Sequence, residues 1–336
     1  MKMTKLYQKQ KNVLILLGIL MIIIALIGTN TGKMGVTPQE VWQTFLGKGT
    51  KQQEMIIYDF RLPRIFLATL VGIGMGVSGS IMQSLLKNDM ASPGTLGISS
   101  GSGLFVLVYI AWFSNDSGLS PYAIPLLAFI GGLISALFIF LLAFKKGKLC
   151  SPTNLILTGV AVGSGYSALS MFITLRLEDR QMDFMQKWQA GNLWGDDWRY
   201  IKILFPIIII LLIWTLYKAK VLNAIHLGDE TAIGLGVSVR QEFFKLSLSA
   251  IALSSASVAL GGNFFFVGLI APHMARKLVG SNHRIYLPAA AMLGGLIILV
   301  ADTLTHMISF GSDMPTGLVI TIISTPYFLY LLTKTD

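Results

Sequence analysis

The stretch VLILLGILMIIIALI at residues 13–27 runs without a single polar side chain, and it does not stand alone. ILFPIIIILLIWTL at 203–216 and AAAMLGGLIILVA at 289–301 repeat the pattern. Hydrophobic residues make up 54% of the 336 and charged residues 12%, against roughly a quarter charged in an ordinary soluble domain. A helix crossing a bilayer needs about 20 predominantly apolar residues. The chain offers ten such segments, at 13–29, 60–84, 95–114, 121–144, 153–175, 200–219, 242–260, 263–272, 285–308 and 315–333. The eighth is too short to cross alone and reads as a half-helix after Gly261-Gly262, ended by Pro272. This predicts an all-α membrane protein of about ten transmembrane helices, one of them a half-helix, in a single transmembrane domain over 1–336. No length remains for a separate soluble catalytic domain.

The net charge of +10 has a topological explanation. With the N-terminus inside, sixteen of the 26 Lys and Arg residues fall in inner loops and ten in outer ones. Five acidic residues fall inside and ten outside, with Asp302 alone within a span. That asymmetry follows the positive-inside rule and places both termini in the cytoplasm. The basic balance therefore reports orientation in a lipid bilayer and not nucleic-acid binding. The lysines before residue 13 resemble a signal-peptide head, but Ile27-Gly28-Thr29-Asn30 is a poor cleavage site, so the first helix is expected to stay. One cysteine, Cys150, excludes an internal disulfide and a multi-cysteine metal site. No metal ligand set is expected.

Small residues recur four apart at Gly72, Gly76 and Ser80 and at Gly159 and Gly163, a spacing that lets helix backbones approach closely in lipid. Four polar segments interrupt the apolar runs. Arg61-Leu62-Pro63-Arg64 opens the second span on the outer side. It reads either as a helix start with proline in the first turn or as a docking point for carboxylates, which guanidinium grips with two hydrogen bonds. Residues 87–98, with Asn88, Pro93 and Gly94, break helix at membrane depth. Irregular backbone is tolerated there only inside protein or beside a water-filled path. Leu222–Gly236 reads as a short cytoplasmic helix capped at Asp229 or nearby and stopped at Gly234 or Gly236. It is either a connector or an insert for a groove on a partner. The fourth segment runs from Phe266 through His273 and Arg276 to His283-Arg284.

These segments together resemble the permease subunits of iron-siderophore, haem and cobalamin ABC importers. The resemblance rests on Arg61-Leu62-Pro63-Arg64, Ser78-Gly79 with Met82-Gln83, Asn88 through Gly97, and Trp188-x-x-Gly191-Asn192-Leu193. It continues through Leu227-Gly228 to Gly236, Gly268-Leu269-Ile270-Ala271-Pro272-His273, His283-Arg284, Leu299-Val300-Ala301-Asp302 and Pro315-Thr316-Gly317. It implies a cobalamin-permease-like bundle, paired with a second permease subunit, either a second copy or a related chain. Two cytoplasmic ATPase subunits lie on one side and an extracytoplasmic substrate-binding protein on the other. The arginines matching Arg61 and Arg64 would meet glutamates of the binding protein. A third family arginine is replaced here by His306. The loop holding Leu227, Gly228, Asp229, Glu230, Ala232, Gly234 and Gly236 would couple to the ATPase. Asn88, Pro93, Gly94, Trp188 and Gly191 are the pathway candidates.

No Walker A sequence occurs: Gly47-Lys48-Gly49-Thr50 lacks the leading glycine and the Lys-Ser/Thr pair. The chain is thus not expected to be an enzyme or to bind a cofactor, and ATP would be hydrolysed by partner subunits. Gly76-Val77-Ser78-Gly79 matches the GxSG of intramembrane proteases, but such a serine needs a histidine base, and three of the four histidines fall in cytoplasmic loops. Asp302 with His306 one turn on suits a structural hydrogen-bonding role near the end of the bundle. The expected function is inward carriage of a ferric siderophore by alternating access through the plasma membrane of a bacterium. The alternatives are haem or cobalamin as cargo, or a proton- or sodium-coupled secondary transporter, for which a lone aspartate is thin support.

Overall fold

The computed structural model describes residues 2–32, 35–113, 121–143, 152–307 and 314–333. Among them the only regular elements are helices, and all ten apolar segments appear as helices. Cys150 lies outside the described residues. The chain opens with α1 (Lys2–Asn30), largely exposed along its apolar stretch but packed on α14 along one side, where Leu17 is buried. Two short helices follow, α2 (Pro38–Phe45) and α3 (Lys51–Glu54), each opened by a capping box. In α2, Thr37 Oγ1 accepts from the Glu40 amide and the Glu40 carboxylate accepts from the Thr37 amide at 2.7 Å.

The expected helix start at Arg61–Pro63 is corrected here. α3 passes without a break through a widened π turn, Met55–Arg61, into α4 (Leu62–Leu86). Pro63 has no amide hydrogen to return to the previous turn. The chain absorbs that loss by widening, with the Leu62 amide reaching back to the Ile57 carbonyl. The result is a single apolar rod over Lys51–Leu86, buried along most of its length at the centre of the bundle.

Lys87 ends α4 in the left-handed conformation, at φ +48°. The segment after it carries only a 3₁₀ turn at Gly94–Leu96 before α5 (Ile98–Phe113), as its proline and glycines predict. α6 (Ala123–Ala143) and α7 (Pro152–Thr174) follow. α7 touches α5 where Gly97, at φ +71°, sits against the carbonyl of Gly159. α7 also packs on α6 and buries Leu155, but most of it is exposed, with Met171 and Phe172 each about three quarters exposed. α8 (Asp179–Gln189) is an amphipathic helix that the apolar pattern does not announce. Its inner end buries Trp188 completely.

α9 (Trp198–Tyr217) begins at Asp197, whose carboxylate accepts from the Arg199 amide at 2.8 Å. The expected single loop helix at Leu222–Gly236 is in fact two: α10 (Ala219–His226) and α11 (Asp229–Gly234). α12 (Val239–Gly261) returns through the core. After a break at Gly262 comes α13 (Phe265–Val279), then α14 (His283–Met307) and α15 (Thr316–Leu332).

The half-helix ending at Pro272 is also corrected. α13 continues through the proline for seven more residues, to Val279. Pro272 removes the amide that would bond the Gly268 carbonyl. That carbonyl lies against Gly79 of α4, where any Cβ would collide with it. The neighbouring Leu269 carbonyl accepts from Gln83 Nε2 at 3.0 Å. Packing against α4 thus stabilises a helix that proline alone would end.

The most extensive contact among the described helices is between α4 and α14. Gly72 and Gly76 face Gly294 and Ala290 so closely that a Cβ at Gly72 would strike the Gly294 carbonyl. The four-residue spacing seen in the sequence is therefore a helix-packing seam.

Candidate functional site

The bundle has two polar ends. On the first, which we call the basic face, Lys87 Nζ pairs with Asp229 at 2.8 Å and Arg276 pairs with Asp89. Gln10 Nε2 there donates to the Val279 carbonyl at 2.6 Å. On the opposite face, Trp198 Nε1 donates to the Tyr58 carbonyl at 2.7 Å and Tyr200 to the Pro121 carbonyl at 3.1 Å. Each loop thus meets loops that the span count assigns to its own side.

The opposite face holds Arg61, Arg64 and His306. Arg61 is buried and donates to the Thr29 carbonyl at 2.5 Å. Arg64 lies across Asp302: Nε is 3.0 Å from Oδ2 and Nη2 is 3.0 Å from Oδ1. Its Nη1 reaches Asp196 at 3.3 Å and the Leu193 carbonyl at 3.4 Å. Thr316 Oγ1 donates to Asp302 Oδ1 at 2.9 Å. His306 Nδ1 donates to the Asp302 main-chain carbonyl at 2.8 Å. Four segments, α4, the 193–196 loop, α14 and α15, therefore meet on one ion pair. Both arginines of the Arg-Leu-Pro-Arg motif turn into the protein. Sequence reasoning missed Asp196 and Thr316: Asp196 lies 132 positions from Arg64, and Thr316 reaches Asp302 from the next helix, which no helical spacing relates to it.

The basic face holds the loop of α10 and α11. Asp229 does not cap α11: the N-cap is Gly228, at φ +126°, and the Asp229 carboxylate is spent on Lys87. Gly234 is the last residue of the helix itself, with open space around it. The left-handed exit turn belongs to Gly236, at φ +81°. Ala232 is fully buried against the bundle, whereas Leu227, Ile233 and Leu235 are more than half exposed. Glu230 begins the helix on its solvent side. Asn223 on α10, which the sequence did not single out, donates through Nδ2 to Asn282 at 3.1 Å and accepts from the His283 amide at 2.9 Å. Burial beside Arg276 holds the His226 imidazole below its ordinary pKa, because both effects disfavour the charged ring.

The pathway candidates are split between the two ends of the α13 break. Asn88 closes a turn by accepting from the Met90 amide at 2.8 Å. Pro93 lies against Gly268, and Gly94 against the Phe265 ring. The Trp188 carbonyl accepts from Asn263 at 3.4 Å, and the Gly191 carbonyl accepts from Gly317 at 2.7 Å. Trp188 and Gly191 thus knot α8 to the α12–α13 break and to the start of α15. Beside this knot is a cavity of about 400 Å³ lined by Gln189, Asn263, Phe264, Phe266, Gly317 and Thr321, among others. None of the five candidates lines it; their neighbours do.

Ser78 donates its hydroxyl to the Ala250 carbonyl at 2.5 Å, which leaves the GxSG motif packing two helices together. Among the described residues, no three His, Cys, Asp or Glu side chains gather closely enough to hold a metal.

Comparison with known proteins agrees with this architecture. The chain is 41% identical over 324 residues to the iron(3+)-hydroxamate import system permease FhuG of Bacillus subtilis (strain 168), covering 95% of each chain. It is 36% identical over 318 residues to the hemin transport system permease HmuU of Yersinia pestis, covering 94% of this chain and 93% of that one. A solved chain of a metal-chelate type ABC transporter in an inward-facing conformation superposes with a TM-score of 0.83 at 25% identity, covering 97% of this chain and 99% of that one. Residues 19–334 match the FecCD transport family, and the chain belongs to it: a membrane-spanning permease of the ABC importers for iron-siderophores and haem.

Proposed function

We propose that this permease carries a ferric siderophore of the hydroxamate kind inward. The observation that carries the reading is 41% identity across 95% of both chains with a hydroxamate permease, a higher identity than with the hemin permease. In this reading the basic face is cytoplasmic and α10–α11 rest on the ATPase. A second permease subunit completes the pathway. A binding protein delivers the chelate to the face that holds Arg64 and Asp302. The exposed side chains of Leu227, Ile233 and Leu235 support the ATPase contact, since they form an apolar patch beside the acidic Glu230. The plasma membrane of a bacterium is the expected location, with both termini inside. Family membership displaces the secondary-transporter alternative. Haem is the second reading, favoured by the hemin relative alone.

The test is uptake of radioiron into vesicles holding the permease with its ATPase and binding protein. We expect ATP-dependent accumulation of a ferric hydroxamate, insensitive to an uncoupler. Accumulation of haem but not of the hydroxamate would replace the first reading with the second.

A further inference from the structure

Both helices of the α10–α11 loop are tied to the last turn of α4, by separate links. From α10, Asn223 Oδ1 accepts two hydrogen bonds from His283, one from the main-chain amide at 2.9 Å and one from Nδ1 at 2.7 Å. On the other side of the ring, Nε2 lies 2.6 Å from Ser84 Oγ. From α11, Asp229 pairs with Lys87, three residues beyond Ser84.

The proton positions in the first link follow from its partners. The Asn223 oxygen can only accept, so Nδ1 carries the proton. Nε2 of a neutral ring then faces the Ser84 hydroxyl as an acceptor, sharing its single proton with the Ser80 carbonyl, 2.7 Å from the same oxygen. Asn223 has no freedom to flip, because its Nδ2 donates to Asn282. Ser84 and His283 are buried, and the His226 and Tyr286 rings stand edge-on to His283 at 5.9 and 5.2 Å. An apolar contact would hold α10 against α4 just as firmly. A buried polar chain instead fixes one relative position, and a small slip leaves its groups unsatisfied.

α4 carries that position across the bundle. Its 25 residues are about 37 Å long at the rise of an α-helix. Arg64, held by Asp302, stands on its first turn.

We propose that Asn223, His283 and Ser84 form a positioning relay which, with the Lys87–Asp229 pair, makes α4 the rod linking the α10–α11 loop to the Arg64–Asp302 pair on the opposite face. Movement of the loop shifts α4 along its length, and the Arg64 cluster registers the shift. This rests on the reading that the loop meets the ATPase.

The experiment uses the complete transporter in vesicles, with ATP hydrolysis and radioiron uptake measured side by side. Uptake by the unaltered complex checks the function itself, so failure there is separate from failure of the relay. In His283→Ala and in Ser84→Ala we expect ATP consumed per chelate imported to rise about tenfold, within the usual range of coupling between sites. The double variant should be no worse than either single one, since both break one chain. Lys87→Asp should raise the same ratio, and Lys87→Asp with Asp229→Lys should bring it back toward the original. Ser84→Ala removes one oxygen from a helix that favours alanine, so it reports even where His283→Ala fails to fold. An unchanged ratio in Ser84→Ala, or no rescue by the charge exchange, would overturn the proposal.

Discussion

Arg64 and Asp302 are 238 positions apart in the chain and meet through two hydrogen bonds of 3.0 Å, with the Asp302 side chain only 8% exposed. The pair joins α4 to α14 just where the two helices leave their glycine seam. It also explains how a carboxylate can sit in a membrane helix: Arg64, Thr316 and its own helix surround it.

Removing one partner leaves the other buried and unpaired. Asp302→Ala should therefore cost about 3 kcal/mol or more, and Arg64→Ala a similar amount. The double variant should lose less than the sum. Thermal unfolding of the purified permease in detergent checks this, and strict additivity would show that the pair is not coupled.

Docking through Arg64 has to compete with the carboxylates that already hold it. Asp196 is the weaker of the two, at 3.3 Å and 44% exposed. Asp196→Asn should loosen the guanidinium and tighten binding-protein affinity by up to about fivefold, the worth of an exposed pair. Binding of the loaded protein to the permease in nanodiscs measures it. Weaker binding would show that Asp196 itself faces the partner.

The glycines of the α10–α11 loop should differ sharply. Gly236→Val and Gly228→Val place a β-branched residue at positive φ, at about 1–2 kcal/mol in strain, and should lower uptake. Gly234→Ala has open space and helical backbone, so it should leave uptake intact and stabilise by roughly 0.5–1 kcal/mol. Equal effects at all three would remove the turn geometry from the explanation.

Gly72→Leu should be among the most damaging single changes in the span, because the Gly294 backbone occupies the space. Overpacking a tight core costs about 1–3 kcal/mol, and here α4 and α14 must separate. Loss of folded permease in detergent by size exclusion is the expected result. A monodisperse, fully active variant would mean that the seam is more open than described.

Orientation is checked by single cysteines in a Cys150→Ser background. Trp42 and Leu235 are both 65% exposed, on opposite faces. An impermeant maleimide applied to intact cells should label a cysteine at 42 and spare one at 235. The reverse result would turn the molecule over.

The sequence alone determined the fold class and the ten apolar segments that form helices. Bilayer thickness imposes a length on every apolar run, and that constraint acts locally along the chain. It also marked a close-packing face on α4, since small residues four apart lie on one side of a helix, and the break around Pro93 and Gly94, whereas the structure supplied α14 as the partner. Local signals misled where packing overrode them. Pro63 read as lying in the first turn of a new helix and Pro272 as ending one, yet helix runs through both, because a π turn or contact with Gly79 and Gln83 absorbs the missing amide. The cap read at or near Asp229 falls on Gly228, and the Asp229 carboxylate pairs with Lys87 instead. Tertiary structure alone decided which polar groups face one another: Arg64 with Asp302 and Asp196, Asn223 with His283 and Ser84. No period in the sequence encodes those meetings. They arise because burying a charge or an amide among apolar helices is costly unless a partner arrives, and the partner comes from whichever helix the packing brings alongside.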